Sequence, residues 1–333
     1  MTENLRAGMD YMSQDLVLAG SGIPTGGISI PTGGGPAINR PSPIGFAYTF
    51  VDGAGVPLTA FPALDPGFQL GPTISGAGPA SRTDMVTVIY ADNLSFGPLN
   101  LPVGLPLNAN AINDPTAVAP SQPCNGKMDL TGNGAFVTFD NKCIQLPAAG
   151  NGAFAPGDLI MFSNSQGNTI ECVTGVNVGT NTLNFAVGDP YGLNATAGID
   201  ATGTIKQLES APGAYPPTTA TRIWMVTYYL DNTNPLNPKM MRRVNFNAPS
   251  TVAESIEGLQ IAYNFVNGNP LCGAVCSNQP VPPVGMTANQ MMSANLFLAA
   301  RSDKQFTWTK HYFRNNLTSQ ISLRGLAFFN QYN

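Results

Sequence analysis

The chain has 333 residues, 15 Lys and Arg against 19 Asp and Glu, and a formal net charge of −4; charged residues are 10% of it and hydrophobic ones 43%. That balance argues against charge-driven disorder, and a pI near 4.9 argues against nucleic acid as a partner held by bulk charge. The 36 glycines and 29 prolines argue against a helical bundle, since they cost about 1 and 3 kcal/mol per residue inside helices, and favour short antiparallel strands with long turns.

In chain order, residues 1–20 hold the strongest helical signal. Leu5, Met9, Met12, Leu16 and Ala19 form one apolar stripe, which predicts a helix over Thr2–Ala19. Its stripe is the candidate assembly face or, more plainly, the face laid on the chain's own sheet. Arg6, Asp10, Ser13 and Val17 then meet solvent or neighbours. Thr2 and Glu3 suit the start, and Gly20, Gly22 and Pro24 the stop. Residues 21–43 read as a Gly/Pro-rich connector, and 44–333 as a β-rich head.

Strand-like runs in the head are Gly45–Val51, Met85–Tyr90, Ala135–Asp140, Asp158–Phe162, Thr169–Val176, Thr182–Val187 and Thr204–Leu208. Stronger ones follow at Arg222–Leu230, Met240–Phe246, Leu259–Val266, Ala294–Arg301 and Gln320–Ala327. Ser95–Gly126 carries one charge, Asp114, and reads as a surface excursion. The expected fold class is α+β: an N-terminal amphipathic helix covering an antiparallel sheet, with a β-rich insertion or subdomain over 124–210. No run of 18 apolar residues suits a membrane-spanning helix, and Met1–Asp10 is too polar for a signal peptide.

The cysteines suit two disulfides, Cys272 with Cys276 and Cys124 with Cys143, leaving Cys172 as the buried odd thiol. Asp129-Leu-Thr-Gly-Asn-Gly-Ala-Phe-Val-Thr-Phe-Asp140 follows the register of a Ca²⁺ loop, with Asp129, Thr131, Asn133 and Asp140 as oxygen ligands and Gly134 at the bend. A plain β-turn at Thr131–Gly134 is the alternative. His311 is the one histidine, but no G-x-S-x-G elbow accompanies it, and no phosphate-binding glycine loop occurs. Lys304, Trp308, Lys310, Tyr312 and Arg314, with Arg324 and the earlier Lys239, Arg242 and Arg243, make a basic and aromatic patch. It reads as a solvated face or as a stacking surface.

Several segments, in order, resemble PilW-like minor pilins of type IV pili. Asp15-Leu-Val-Leu-Ala-Gly20 matches the family's D-x-x-x-A-G helix end. Arg82–Tyr90 resembles its first sheet strand, and Phe154-Ala-Pro-Gly-Asp-Leu-Ile-Met-Phe162 its GD-apolar strand. Arg222–Leu230, Met241-Arg-Arg243 and Val252-Ala-Glu-Ser-Ile-Glu-Gly-Leu-Gln-Ile-Ala-Tyr263 resemble its Y-Y, L-Y-R and V-A-E-G-I-E-D-L-Q stretch. Ala294–Ser302 and Leu317–Leu326 resemble its last strands. The prepilin cleavage site and membrane-buried helix are absent, so the chain reads as the soluble part of such a protein. The resemblance implies a type IV pilin-like fold and a non-enzymatic structural role in pilus initiation near the tip. Its partners would be other minor and major pilins, the assembly machinery, and the inner membrane through a missing N-terminal segment. The head would be periplasmic, then extracellular. The alternatives are a type II secretion pseudopilin, an adhesin whose loops at 95–126 and 266–286 carry ligand contacts, and a hydrolase using His311.

Overall fold

A computed structural model of the chain describes residues 1–24, 26–31, 38–43, 48–50, 57–74, 82–92, 127–140, 145–148, 153–196, 203–216, 218–266, 276–283, 286–323 and 326. One α-helix, α1 (Thr2–Leu18), opens the chain. Short strands follow: β1 (Ile28–Ser29), β2 (Asn39–Arg40), β3 (Tyr48–Thr49), β4 (Ala60–Phe61), β5 (Leu64–Gly67) and β6 (Met85–Ala91). The middle holds β7 (Lys127–Thr131), β8 (Gly134–Thr138), β9 (Leu159–Asn164), β10 (Gly167–Cys172), β11 (Gly175–Asn177) and β12 (Thr182–Ala186). The last and longest strands are β13 (Thr219–Asp231), β14 (Lys239–Val244), β15 (Ser250–Glu254), β16 (Ile256–Phe265), β17 (Met291–Gln305) and β18 (Tyr312–Ser322).

These strands make five sheets, of seven, four, three, two and two strands. The α+β expectation is therefore corrected. Among the described residues the protein is mainly β, with one α-helix among several sheets rather than one sheet under a helical layer. The physical reason is the turn chemistry. Gly and Pro break the first two thirds of the chain into short runs that pair rather than nucleate helices, and the long runs that follow are rich in β-branched and aromatic residues or alternate apolar with polar, as β13 and β16 do.

The hub is β13. Thr219–Ile223 pair with β9, Ile223–Tyr228 with β6, and Val226–Asp231 with β14, all antiparallel. Both faces of β6 are buried, so its sequence reads as a continuous apolar run rather than an alternation. Val86, Val88 and Tyr90 enter one core; Ile89 and Ala91 enter another. Residues 124–210 do not act as one unit. Strands β7, β8, β11 and β12 form their own sheet over a separate core, while β9 and β10 join the seven-stranded sheet. Thr204–Leu208, expected as a strand, is a 3₁₀ turn over Ile205–Leu208.

Ser255 joins β15 to β16 with φ +58°. A non-glycine residue in that left-handed region marks a forced turn; here it moves the chain from the seven-stranded sheet to the three-stranded one. Asp84 bridges the same two sheets. Its N–H donates to Leu259 O (2.9 Å), and its carboxylate accepts from the N–H groups of Ile261 and Gln69 (2.8 Å each). Burial raises the Asp84 pKa against those two bonds.

The stripe of α1 lies inside the first core: Leu5, Met9, Met12 and Leu16 are buried among residues of β6, β13 and β16–β18. Each such side chain stabilises by about 1.5–3 kcal/mol relative to exposure. Gly8 sets the approach. A Cβ there would sit 3.0 Å from Met240 Sδ and 3.4 Å from both Ala253 Cβ and Leu298 Cδ1.

Candidate functional site

Near the end of α1, the buried carboxylate of Asp15 gathers three partners from the seven-stranded sheet. Tyr90 Oη donates to its Oδ1 at 2.8 Å and Tyr228 Oη to its Oδ2 at 2.5 Å. Arg242 grips both oxygens, Nε to Oδ2 at 2.7 Å and an Nη to Oδ1 at 3.1 Å. The fork geometry of arginine makes this two-point contact possible. Burial pushes both phenols up, and the Asp15 charge pushes them further, so both stay protonated donors. Burial works against the Arg242 charge, but Asp15 outweighs it and the guanidinium is held firmly cationic.

Two further buried carboxylates, Glu257 and Asp158, follow the same logic. Glu257 on β16 accepts from Arg301 (3.0 Å) and from Arg314 Nε (2.7 Å), at the base of the β17–β18 hairpin. Arg301 also stacks on Tyr312, 4.4 Å from the ring centroid. Asp158 accepts from Arg222 at 2.5 Å, whose guanidinium lies between Phe154 and Trp224. Sequence analysis singled out none of Asp15, Tyr90, Tyr228, Asp158, Arg222 or Glu257 as site residues. Their partners are far away in sequence, and only charged residues inside otherwise apolar strands hinted at them.

The other candidates are scattered. Gly132 and Asn133 form the tip of the β7–β8 hairpin, where Thr131 Oγ1 donates to Gly134 O (2.9 Å) and Asp129 Oδ1 accepts from Leu130 N–H (2.8 Å). Asp129, Thr131, Asn133 and Asp140 are thus strung along a hairpin instead of curling round an ion. Among the described residues no three His, Cys, Asp or Glu side chains cluster. The turn at Thr131–Gly134 is the arrangement seen. Cys172 is buried and free, with burial raising its thiol pKa. Cys276 is disulfide-bonded; Cys124, Cys143 and Cys272 lie outside the described residues, as do Arg324 and the excursion at 95–126.

The basic and aromatic residues do come together, on the projecting end of the β17–β18 hairpin. Trp308 is 96% exposed, and Phe306 and Phe313 are over half exposed. Lys304 and Lys310 flank them, Arg314 is tied back to Glu257, and His311 sits in the exposed turn. Lys239 pairs with Glu254 (3.1 Å), while Arg243 donates to the carbonyls of Ser42, Phe246 and Asn247. The patch is therefore smaller than the sequence suggested.

Comparison with known proteins finds no matching family model, no matching curated protein and no matching solved structure.

Proposed function

We propose that the chain is a structural subunit of a surface filament, in the part that PilW-like minor pilins play in initiating or capping a type IV pilus. The observation that carries this reading is the meeting of Asp15, Tyr90, Tyr228 and Arg242. They come from four separate stretches of the resemblance: the helix end, the first strand, the Y-Y pair and the arginine pair. Residues that converge on one carboxylate are a more demanding agreement than short matching strings. Asp158 and Glu257, from further stretches, and Arg222, at the start of the Y-Y strand, are also engaged in buried ion pairs. Groups held this way keep a head rigid and are closed to substrate, which favours a non-enzymatic role.

In this reading the stripe of Leu5, Met9, Met12 and Leu16 fastens the helix to its own head. Other pilins meet the opposite face, where Tyr11 and Val17 are about half exposed. Deleting the gene in its own host tests the proposal. Surface pili should be lost or sparse and return with the intact chain, while protein secretion continues. A secretion defect with normal pili would move the chain to the type II secretion pseudopilins. Neither defect would remove the filament role altogether.

A further inference from the structure

The three-stranded sheet has two unlike faces. Along β16 and β17 the inward positions are apolar and buried, such as Leu259, Ile261, Leu296 and Leu298. The strand register places the outward positions in rows: Asn264–Ser293–Ser322, Ala262–Asn295–Gln320 and Gln260–Phe297–Thr318. None of these nine residues is charged. They form a lattice of amides and hydroxyls around one phenyl ring. A groove of about 660 Å³ is lined by the last two of these rows, and Phe68, Gln69, Asn278 and Pro280 also border it; the Asn264–Ser293–Ser322 row lies outside its lining.

Part of the lattice is fixed by its own bonds. Asn264 Nδ2 donates to Ser293 Oγ (2.8 Å), Gln320 Nε2 to the same oxygen (3.1 Å), and Asn295 Nδ2 to Asn278 Oδ1 (2.5 Å). The side chains of Gln260, Thr318 and Gln69 make no such bond among the described residues and border the groove. The two charges in the lining are already engaged. Arg82 donates to Gly71 O (3.0 Å), and Asp84 accepts the two backbone N–H groups named above.

We propose that this groove binds a neutral oligosaccharide. Sugars present hydroxyl edges, each a donor and an acceptor, and flat C–H faces. Planar amides match the edges, because each supplies a donor and an acceptor side by side. The exposed ring of Phe68 and the half-buried ring of Phe297 match the faces. A polyanion such as nucleic acid would need free cations here, and the groove offers only the engaged Arg82. An apolar peptide would need a row of deep apolar pockets, and here the apolar groups, Phe68, Phe297, Ala262 and Pro280, lie among amides and hydroxyls. The inference goes beyond the filament reading and stands without it.

The test is calorimetric titration of the whole chain with neutral gluco-, galacto- and chito-oligosaccharides, alongside an acidic glycan and a single-stranded oligonucleotide. At least one neutral series should bind, more tightly as the oligosaccharide lengthens and with little effect of high salt. Gln260→Ala and Thr318→Ala should each weaken that binding about tenfold, the loss of one or two hydrogen bonds, with unchanged thermal midpoints. Phe297→Ala should abolish it, and Trp308→Ala on the hairpin end should leave it intact. No binding by any neutral series overturns the proposal. So does binding confined to the polyanions and lost in salt, or neutral binding that survives the Gln260 and Thr318 substitutions.

Discussion

Glu171 is 1% exposed, neither carboxyl oxygen has a hydrogen-bond partner of good geometry, and burial raises its pKa well above 4.5, with Asp189 adding to the effect. The nearby Ile205 N–H offsets this only in part. The native fold therefore binds the Glu171 proton more tightly than the unfolded chain does. Stability from this group is whole below about pH 4.5 and declines as pH rises from there towards the raised native value. Glu171→Gln, which cannot ionise, should stabilise the protein at neutral pH by about 1–3 kcal/mol. The gap between the two melting midpoints should shrink as pH falls from neutral towards 4.5 and hold steady below it, followed by thermal melts across pH 4–8. An equal gap at every pH would show that Glu171 is not protonated in the fold. Asp15→Ala leaves Arg242 and two tyrosine hydroxyls without their shared acceptor and should cost about 3 kcal/mol in chemical denaturation. Tyr90→Phe, which removes one donor of three, should cost about 1 kcal/mol.

At the scale of elements, Gly8 lets α1 approach β14, β15 and β17. Gly8→Leu would drive a side chain into Met240, Ala253 and Leu298 and should destabilise by about 1–3 kcal/mol, measured by urea unfolding. A neutral result would mean that the helix can lift without loss. The helix itself was legible because five apolar residues at helical spacing leave no other periodicity. It spans Thr2–Leu18 against an expected Thr2–Ala19. The centre of β13 was legible too, since Ile, Trp, Val, Thr and Tyr fit a buried strand. Thr204–Leu208 was misread because Ile205 and Leu208 are both buried, and a run that short does not separate strand from turn by period. Strand β18 begins at Tyr312, not Gln320. Its first half is largely solvated, the Phe313 ring included, and is held by pairing and by the Arg314–Glu257 contact rather than by a core, so it shows no buried apolar alternation. β15, Ser250–Glu254, escaped for the same reason. The oligosaccharide groove did leave a trace. Gln260, Ala262 and Asn264 alternate with Leu259, Ile261 and Tyr263, and the outward positions carry neutral amides where solvated strands commonly carry charge. The Asp15 cluster left only isolated polar residues in apolar stretches, with nothing to join them, because its members are separated by 75, 213 and 227 residues.

At the scale of the whole molecule, a mainly β head with one terminal helix divides its tasks. Buried ion pairs hold α1, the β9–β13 junction and the base of the long hairpin, and the outer sheet face and hairpin end are left for encounter. If α1 presents its exposed face to filament neighbours, Val17→Cys and Tyr11→Cys should form disulfide or linker-bridged products with other pilins in sheared filaments. Asn177→Cys, on the distant four-stranded sheet, should not; products from that position alone would place the contact elsewhere. The Asp15 contact also has a mechanical consequence. A pull applied at the first residues would not unwind the chain from its end. It would travel along the helix and enter the middle of the seven-stranded sheet through a bidentate guanidinium and two phenols loaded side by side, so traction on a fibre would be borne by the head as one block.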